Sequence, residues 1–282
     1  MLAEVFLQAA LTFLAREVPS WPSQNQCYSC HNNGDAARAL YLGRKLGYTV
    51  PDEALQGTTA WLRIPARWDE IHGAPAASDR NLARIQFSAA LAEAVQTGVV
   101  RDPAVLRVAA QSLIALQRPD GSWQVDTGGL PGAPATYGAA LATYLSRRSL
   151  EIAGSSRYSA AIARASGWLR KAAPQSTLDA AALLLAVPTR ADCRQMLLDS
   201  QTSDGAWGPQ AKMPAEPFDT ALVLLALHGE GPAAERGRAW LIKMQDRDGG
   251  WPETTRPAGL QSYAERISTT AWVVYSLLKT AY

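Results

Sequence analysis

Gln117-Arg-Pro-Asp-Gly121-Ser-Trp123, Gln201-Thr-Ser-Asp-Gly205-Ala-Trp207 and Gln245-Asp-Arg-Asp-Gly249-Gly-Trp251 are three copies of one phrase. The second and third begin 44 residues apart, and the first and second 84 apart, which is two steps of 42. A period of that length marks one supersecondary unit used many times. Within each copy Asp-Gly is a tight-turn dipeptide, because Gly accepts positive φ at no steric cost. Gln has the reach to bond backbone groups at a helix end, and Trp the bulk to fill a seam between units. Gln117, Gly121, Trp123, Gln201, Gly205, Trp207, Gln245, Gly249 and Trp251 are therefore read as structural residues.

Working outward from the phrases, an amphipathic stretch precedes each, as in Ala104–Leu116 and Arg236–Met244. A loop follows, then a nearly continuous apolar helix opened by Asp or Thr, residues that accept hydrogen bonds from a first helical turn. Asp35, Asp179 and Asp219 open three such helices, and Thr136–Leu145 and Thr269–Leu278 fill the same slot. A helix polar on one face belongs outside, and one apolar nearly all round belongs inside. The pairs run 1–47, 52–98, 103–150, 157–188, 191–229 and 233–282, separated by Gly- and Pro-containing joints. The expected fold class is all-α: an α6/α6 toroid of about six hairpins in one closed ring, with residues 1–282 as a single domain.

The composition fits this. The chain is 48% apolar and 18% charged, below the roughly 25% charge of an average soluble domain. A net charge of +2 gives no footprint for nucleic acid. No apolar run approaches the ~20 residues of a membrane span. Met1–Ala15 is apolar, but Glu4 precedes its first basic residue, Arg16, the reverse of a secretory signal. It is read as a helix of the ring.

Q-x-x-D-G-x-W resembles the QW repeat of squalene–hopene cyclases and other triterpene cyclases, and is similar to repeats of protein prenyltransferase β-subunits. The resemblance implies the α6/α6 toroid with a functional cavity inside it. It also implies two chemistries that can be sought in the sequence. The cyclases protonate an alkene with the middle acid of D-x-D-D, and this chain has no D-x-D-D; Asp246 and Asp248 lie in the third phrase, followed by Gly249. The prenyltransferases hold zinc through D-x-C and a distant His. The nearest match, Asp192-Cys193, lacks the spacer and falls in an outer helix.

Cys27-Tyr-Ser-Cys30-His31, in the first outer-to-inner loop, resembles the attachment site of c-type cytochromes. Two thiols three positions apart reach two vinyl groups on one haem edge, and the adjacent His ligates the iron. The resemblance implies one covalent haem c on Cys27 and Cys30 with His31 as axial ligand. A redox disulfide would lack its usual βαβ context, and zinc would lack a fourth ligand unless Cys193 supplied it. Candidates for the second iron ligand lie in loops of the same rim: His72 first, then Met213, with Met244 also near. His228 follows an inner helix and belongs to the opposite rim. Tyr41, Phe87, Tyr137, Tyr144, Trp272 and Tyr275 fall on inner helices, where they pack the core or line a cavity.

Three functions follow in order. The first is a periplasmic or otherwise exported c-type haem protein in electron transfer or haem redox chemistry, working with a redox partner protein or small-molecule ligand. The alternative is a squalene- or terpenoid-cyclase-like enzyme, or an isoprenoid-lipid-binding protein, with an apolar lipid in the central cavity. The third is a non-catalytic interaction module.

Overall fold

The computed structural model describes residues 2–69, 79–125, 134, 138–256, 259 and 261–280. Among these residues there is no strand, and the helices pair in chain order. α1 (Leu2–Asn25) precedes α2 (Ala37–Lys45), and α3 (Asp52–Leu62) precedes α4 (Arg80–Gln96). α5 (Leu106–Leu116) pairs with α6 (Ala139–Gly154), and α7 (Ser159–Lys171) with α8 (Thr177–Ala186). α9 (Ala191–Asp199) pairs with α10 (Pro217–Ala226), and α11 (Gly231–Lys243) with α12 (Tyr263–Thr280). A π-helical turn, Cys30–Ala36, leads into α2. The even-numbered helices each pack on the next, and α12 returns onto α2 and its π-turn. The ring is closed. No described helix is long and apolar enough to cross a membrane.

Burial separates the two layers as the patterning demands. α5 buries Leu106, Ala109, Ala110 and Leu113, one face of an outer helix. α10 buries every residue from Pro217 to Ala226. Several inner helices start earlier than their Asp or Thr suggests. Ser176 caps α8, its Oγ accepting from Asp179 N at 3.0 Å while the Asp179 carboxylate accepts from Gln175 N at 3.1 Å. The cap is therefore Ser176, and Asp179 sits in the first turn rather than at its start. Asp219 likewise lies inside α10, behind Glu216. Thr269 lies well within α12, and Asp35 lies in the π-turn. Thr136 and Tyr137 are outside the described residues.

The three phrases tie helices together in one pattern. Trp123, Trp207 and Trp251 are fully buried. Each indole Nε1 donates to a carbonyl of its own outer helix: Leu113 at 2.8 Å, Leu197 at 2.7 Å and Leu241 at 2.7 Å. Each Trp backbone N–H donates to a threonine of the following inner helix: Thr143 at 3.0 Å, Thr220 at 3.0 Å and Thr270 at 2.9 Å. The glutamine amides reach the next outer helix, at Ala161 O (2.9 Å), Ala233 O (2.8 Å) and Phe6 O (3.0 Å). The last bond joins the final hairpin to the first. Gly121, Gly205 and Gly249 have φ of +97°, +88° and +94°. A Cβ on Gly121 would meet the Arg164 carbonyl oxygen at 2.4 Å. Both the turn and the close approach require glycine there.

Candidate active site

Because Thr143, Thr220 and Thr270 face the tryptophans, the opposite sides of these helices face the lumen. On α12 that side carries Glu265, Ser268, Trp272, Tyr275 and Lys279, spaced three or four apart. Contacts across the ring agree. Asp35, from the π-turn, accepts on one oxygen, Oδ2, from Gln86 Nε2 of α4 at 2.8 Å and from the Ser268 hydroxyl of α12. One turn further on, the Arg38 guanidinium stacks on Trp272 at 4.4 Å and Tyr275 at 3.8 Å. Such contacts strengthen when shielded from water. Phe218 of α10 meets the Trp272 ring edge-on at 6.0 Å.

The lumen is polarised along its axis. Near the start of α10 and α12 three shielded carboxyls surround one guanidinium. Arg256 pairs with Glu216 at 3.1 Å and Asp219 at 2.8 Å, and Glu265 is buried beside them. Three carboxylates about one cation leave excess negative charge where water cannot screen it, so protons are retained. Burial, opposed by Arg256, pushes Asp219 up to about 7. Burial also pushes Glu265 up to about 7. Toward the helix C-termini the balance reverses. Glu93 of α4 accepts from Tyr275 Oη at 2.8 Å and pairs with Lys279 at 3.5 Å. Arg38, Arg148 and Lys279 surround it. Burial and the Glu93 charge raise Tyr275 above the ordinary phenol range. Tyr144, Arg148, Leu185, Leu225, His228, Tyr275, Lys279 and Thr280 line a cavity of about 230 Å³ at this end. A space of about 20 Å³ lies deeper, between Arg38, Glu93 and Leu145.

The residues singled out from the sequence are dispersed. Cys27 is half-buried. Cys30 and His31 begin the π-turn. Burial, then the Asp35 charge, pushes the Cys30 thiol up to about 12, and burial lowers His31 to about 4. Asn32 and Asn33 follow, both buried. Asn32 Nδ2 donates to Glu17 O at 3.0 Å. Asn33 Nδ2 donates to Val18 O at 3.0 Å and Thr58 Oγ1 at 2.9 Å, binding α1 to α3. Tyr28 stacks on Trp61 at 4.3 Å. His72 lies outside the described residues. Met213 and Met244 are exposed on loops, and Cys193 is buried on α9 beside Asp192, which pairs with Arg190. His228 lines the cavity at the C-terminal end. Among the described residues no three His, Cys, Asp or Glu side chains gather to hold a metal.

Gln86, Ser268, Glu93, Arg38, Arg148, Glu265 and Arg256 were not singled out by sequence reasoning. A signal existed: a charged residue inside a helix apolar all round, such as Arg38 in Ala-Ala-Arg-Ala-Leu or Glu93 in Ala-Leu-Ala-Glu-Ala, is buried and needs a partner.

No family model matches the chain, and no curated protein matches it. Solved structures do. The type II terpene cyclase MstE from Scytonema is 16% identical, with a TM-score of 0.59, over 99% of each chain. A substituted form of MstE holding its substrate, geranylgeranyl dihydroxybenzoate, is 15% identical at TM-score 0.61, over 99% of this chain and 98% of that one. A protein from Actinoplanes is 15% identical at TM-score 0.63, over 99% and 100%. This is the fold of type II terpene cyclases.

The first-placed function, electron transfer or haem redox chemistry at Cys27, Cys30 and His31, is corrected by this finding. The solved rings include cyclases with a prenylated substrate or product bound, which favours the alternative. The segment has a physical reason of its own to look unusual. Asn32 and Asn33 make it the brace of the first hairpin, in a position where three of the other hairpins use the repeated phrase.

Proposed function

We propose that this chain is a terpenoid-cyclase-like enzyme that begins its reaction by protonating an isoprenoid alkene inside the ring, with Asp35 as the acid. One observation carries the reading. Asp35 is a lumen-facing carboxyl, 4% exposed, fixed by two donors on one oxygen. The reaction transfers the Asp35 carboxyl proton to one alkene carbon. The resulting tertiary cation is attacked by the next alkene, closing a ring, and loss of a proton from the final cation returns the balance. The product is an isomer of the substrate, so no co-reactant is required. Gln86 and Ser268 hold the acid in place.

The test is incubation with polyprenyl alcohols, acids and diphosphates of several chain lengths, followed by product analysis. Cyclised isomers are expected from the wild type. Asp35→Asn keeps the hydrogen-bond acceptor and removes the acid, so it should lower the rate about 10²–10⁴-fold, the usual contribution of a general acid. No product across the series, or an Asp35→Asn enzyme as fast as the wild type, overturns the proposal.

A further inference from the structure

We infer that Arg38 is a plug: its guanidinium closes the lumen between Asp35 and the C-terminal cavity, so this side chain sets how long an isoprenoid the ring accepts. The inference rests on the cyclase reading for the word isoprenoid, but on its own residues for the closure. The groups concerned fall in order along α12. Ser268 bonds Asp35, Trp272 and Tyr275 take the Arg38 guanidinium over their rings at 4.4 and 3.8 Å, and Tyr275 and Lys279 border the C-terminal cavity. Arg38 is 5% exposed, and it walls the space of about 20 Å³ that lies deeper than that cavity. Asp35 is not among the residues lining either space. Four to seven residues of α12 at 1.5 Å each put the plug about 6–10 Å along the axis from Ser268, and eleven put Lys279 about 16 Å away. A chain reacting at Asp35 has the shorter length while the plug is in place and the longer one without it.

Packing of the ring does not call for an arginine here. Asp35, Asp179 and Asp219 mark matching points in the sequence of three inner helices, and three residues after each stand Arg38, Ala182 and Leu222. Ala182 and Leu222 are fully buried, so an apolar side chain satisfies this slot elsewhere in the ring. A guanidinium shielded from water carries a desolvation cost that alanine or leucine avoids. It is offset by two aromatic faces, where attraction to a cation is strongest when water is excluded. Ala36, Ala37 and Ala39, all fully buried, flank Arg38. Its long stem and planar head can therefore reach across the lumen and lie flat against the far wall.

Binding of geraniol, farnesol and geranylgeraniol, read by quenching of tryptophan fluorescence, tests the plug without requiring turnover or a charged head. In the wild type, affinity should stop rising with length once the chain outgrows the closed lumen. Arg38→Ala should raise the ratio of geranylgeraniol to geraniol affinity at least about tenfold, since newly buried methylenes each add affinity. Arg38→Gln, shorter and uncharged, should move the ratio the same way. Arg38→Lys, which keeps length and charge but not the planar face, should fall between. Ethylguanidinium added to Arg38→Ala should refill the stack and return the ratio to the wild-type value. Thermal melts of each variant report whether the ring is intact. A ratio unchanged within about twofold in folded Arg38→Ala and Arg38→Gln, a wild type whose affinity rises evenly to the longest chain, or no binding of any alcohol overturns the inference. A length dependence that Arg38 controls, without cyclised product, leaves the plug standing and removes the cyclase reading; product with a length dependence indifferent to Arg38 does the reverse.

Discussion

Where α11 meets α1, Gln245 reaches Phe6 O at 3.0 Å, Trp251 Nε1 reaches Leu241 O at 2.7 Å, and Gly249 turns the chain at positive φ. Where α1 meets α3, one side chain does comparable work: Asn33 Nδ2 donates to Val18 O of its own outer helix and to Thr58 of the next. The difference is reach and volume. Asn is one methylene shorter than Gln, so its backbone must come closer, and the chain there winds as a π-helical turn. No indole follows it, and the seam is filled instead by Tyr28 on Trp61 and by Phe87, whose ring meets Trp61 edge-on at 4.6 Å. Equivalent braces in a repeat ring need not share a sequence. They need an amide aimed at an orphan carbonyl and an aromatic filling the gap.

The comparison breaks most easily at a phrase tryptophan. Trp207 is fully buried and bonded through both its nitrogens. Trp207→Ala should cost about 3–5 kcal/mol, from cavity formation and the stranded Leu197 carbonyl. Urea denaturation measures it. A cost under about 1 kcal/mol would mean that the indole is filler and that the phrase does not brace the ring.

Asn33→Ala comes next. It removes three bonds, two donated by Nδ2 and one that Oδ1 accepts from Ser29 N, and leaves the Val18 carbonyl and Thr58 hydroxyl buried, for about 1–3 kcal/mol by the same measurement. Asn33→Gln sharpens the point, since the extra methylene has no space in a fully buried site. If Asn33→Ala is neutral, the first seam is held by its aromatics alone and the equivalence fails.

The repeat made the ring legible because three of its seams are built the same way. Three phrases, with paired helices between them, therefore specify closure, although Gln245 meets a residue 239 positions away. Helix starts were less legible. Asp179 marks the first turn, while the cap is Ser176, three residues earlier. The lumen was the least legible part, because its polar residues come singly or in small numbers from helices far apart in the chain. Asp35 and Ser268 are 233 positions apart, and no local pattern joins them. In the segment that the C-x-x-C-H match opens, the residues after it, Asn32, Asn33 and Asp35, carry bonds that no motif marked.

His31 gives the two kinds of seam different pH responses. Burial lowers it to about 4 from its ordinary 6.5. Between those values the unfolded chain binds more protons than the folded one, so stability rises with pH across that window. It is complete above about 6.5 and is lost as pH falls toward 4. His31 is half-buried, and we expect about 1–2 kcal/mol. His31→Gln should abolish that part of the pH 4.5–7 difference, measured by urea denaturation at both values. An unchanged slope in His31→Gln would place the acid sensitivity elsewhere and remove the distinction between the seams.

The smallest effect is the most discriminating. If the two cysteines of the first seam act as a pair, by disulfide or thioether, losing either one is equivalent. If they are parts of a packed brace, they differ. Cys30 packs against the core and opens the π-turn, whereas Cys27 precedes the turn and is outside that packing. Cys27→Ala should therefore fall within about 0.5 kcal/mol of the wild type, the range of substitutions away from special features. Cys30→Ser places a hydroxyl against the apolar surface that the thiol now meets, at a cost of about 1 kcal/mol or more. The measurement is the difference between the two in urea, under reducing and oxidising conditions. Equal losses that appear only under oxidation would mean that a bonded pair, and not the asparagines, holds the first hairpin to its neighbour.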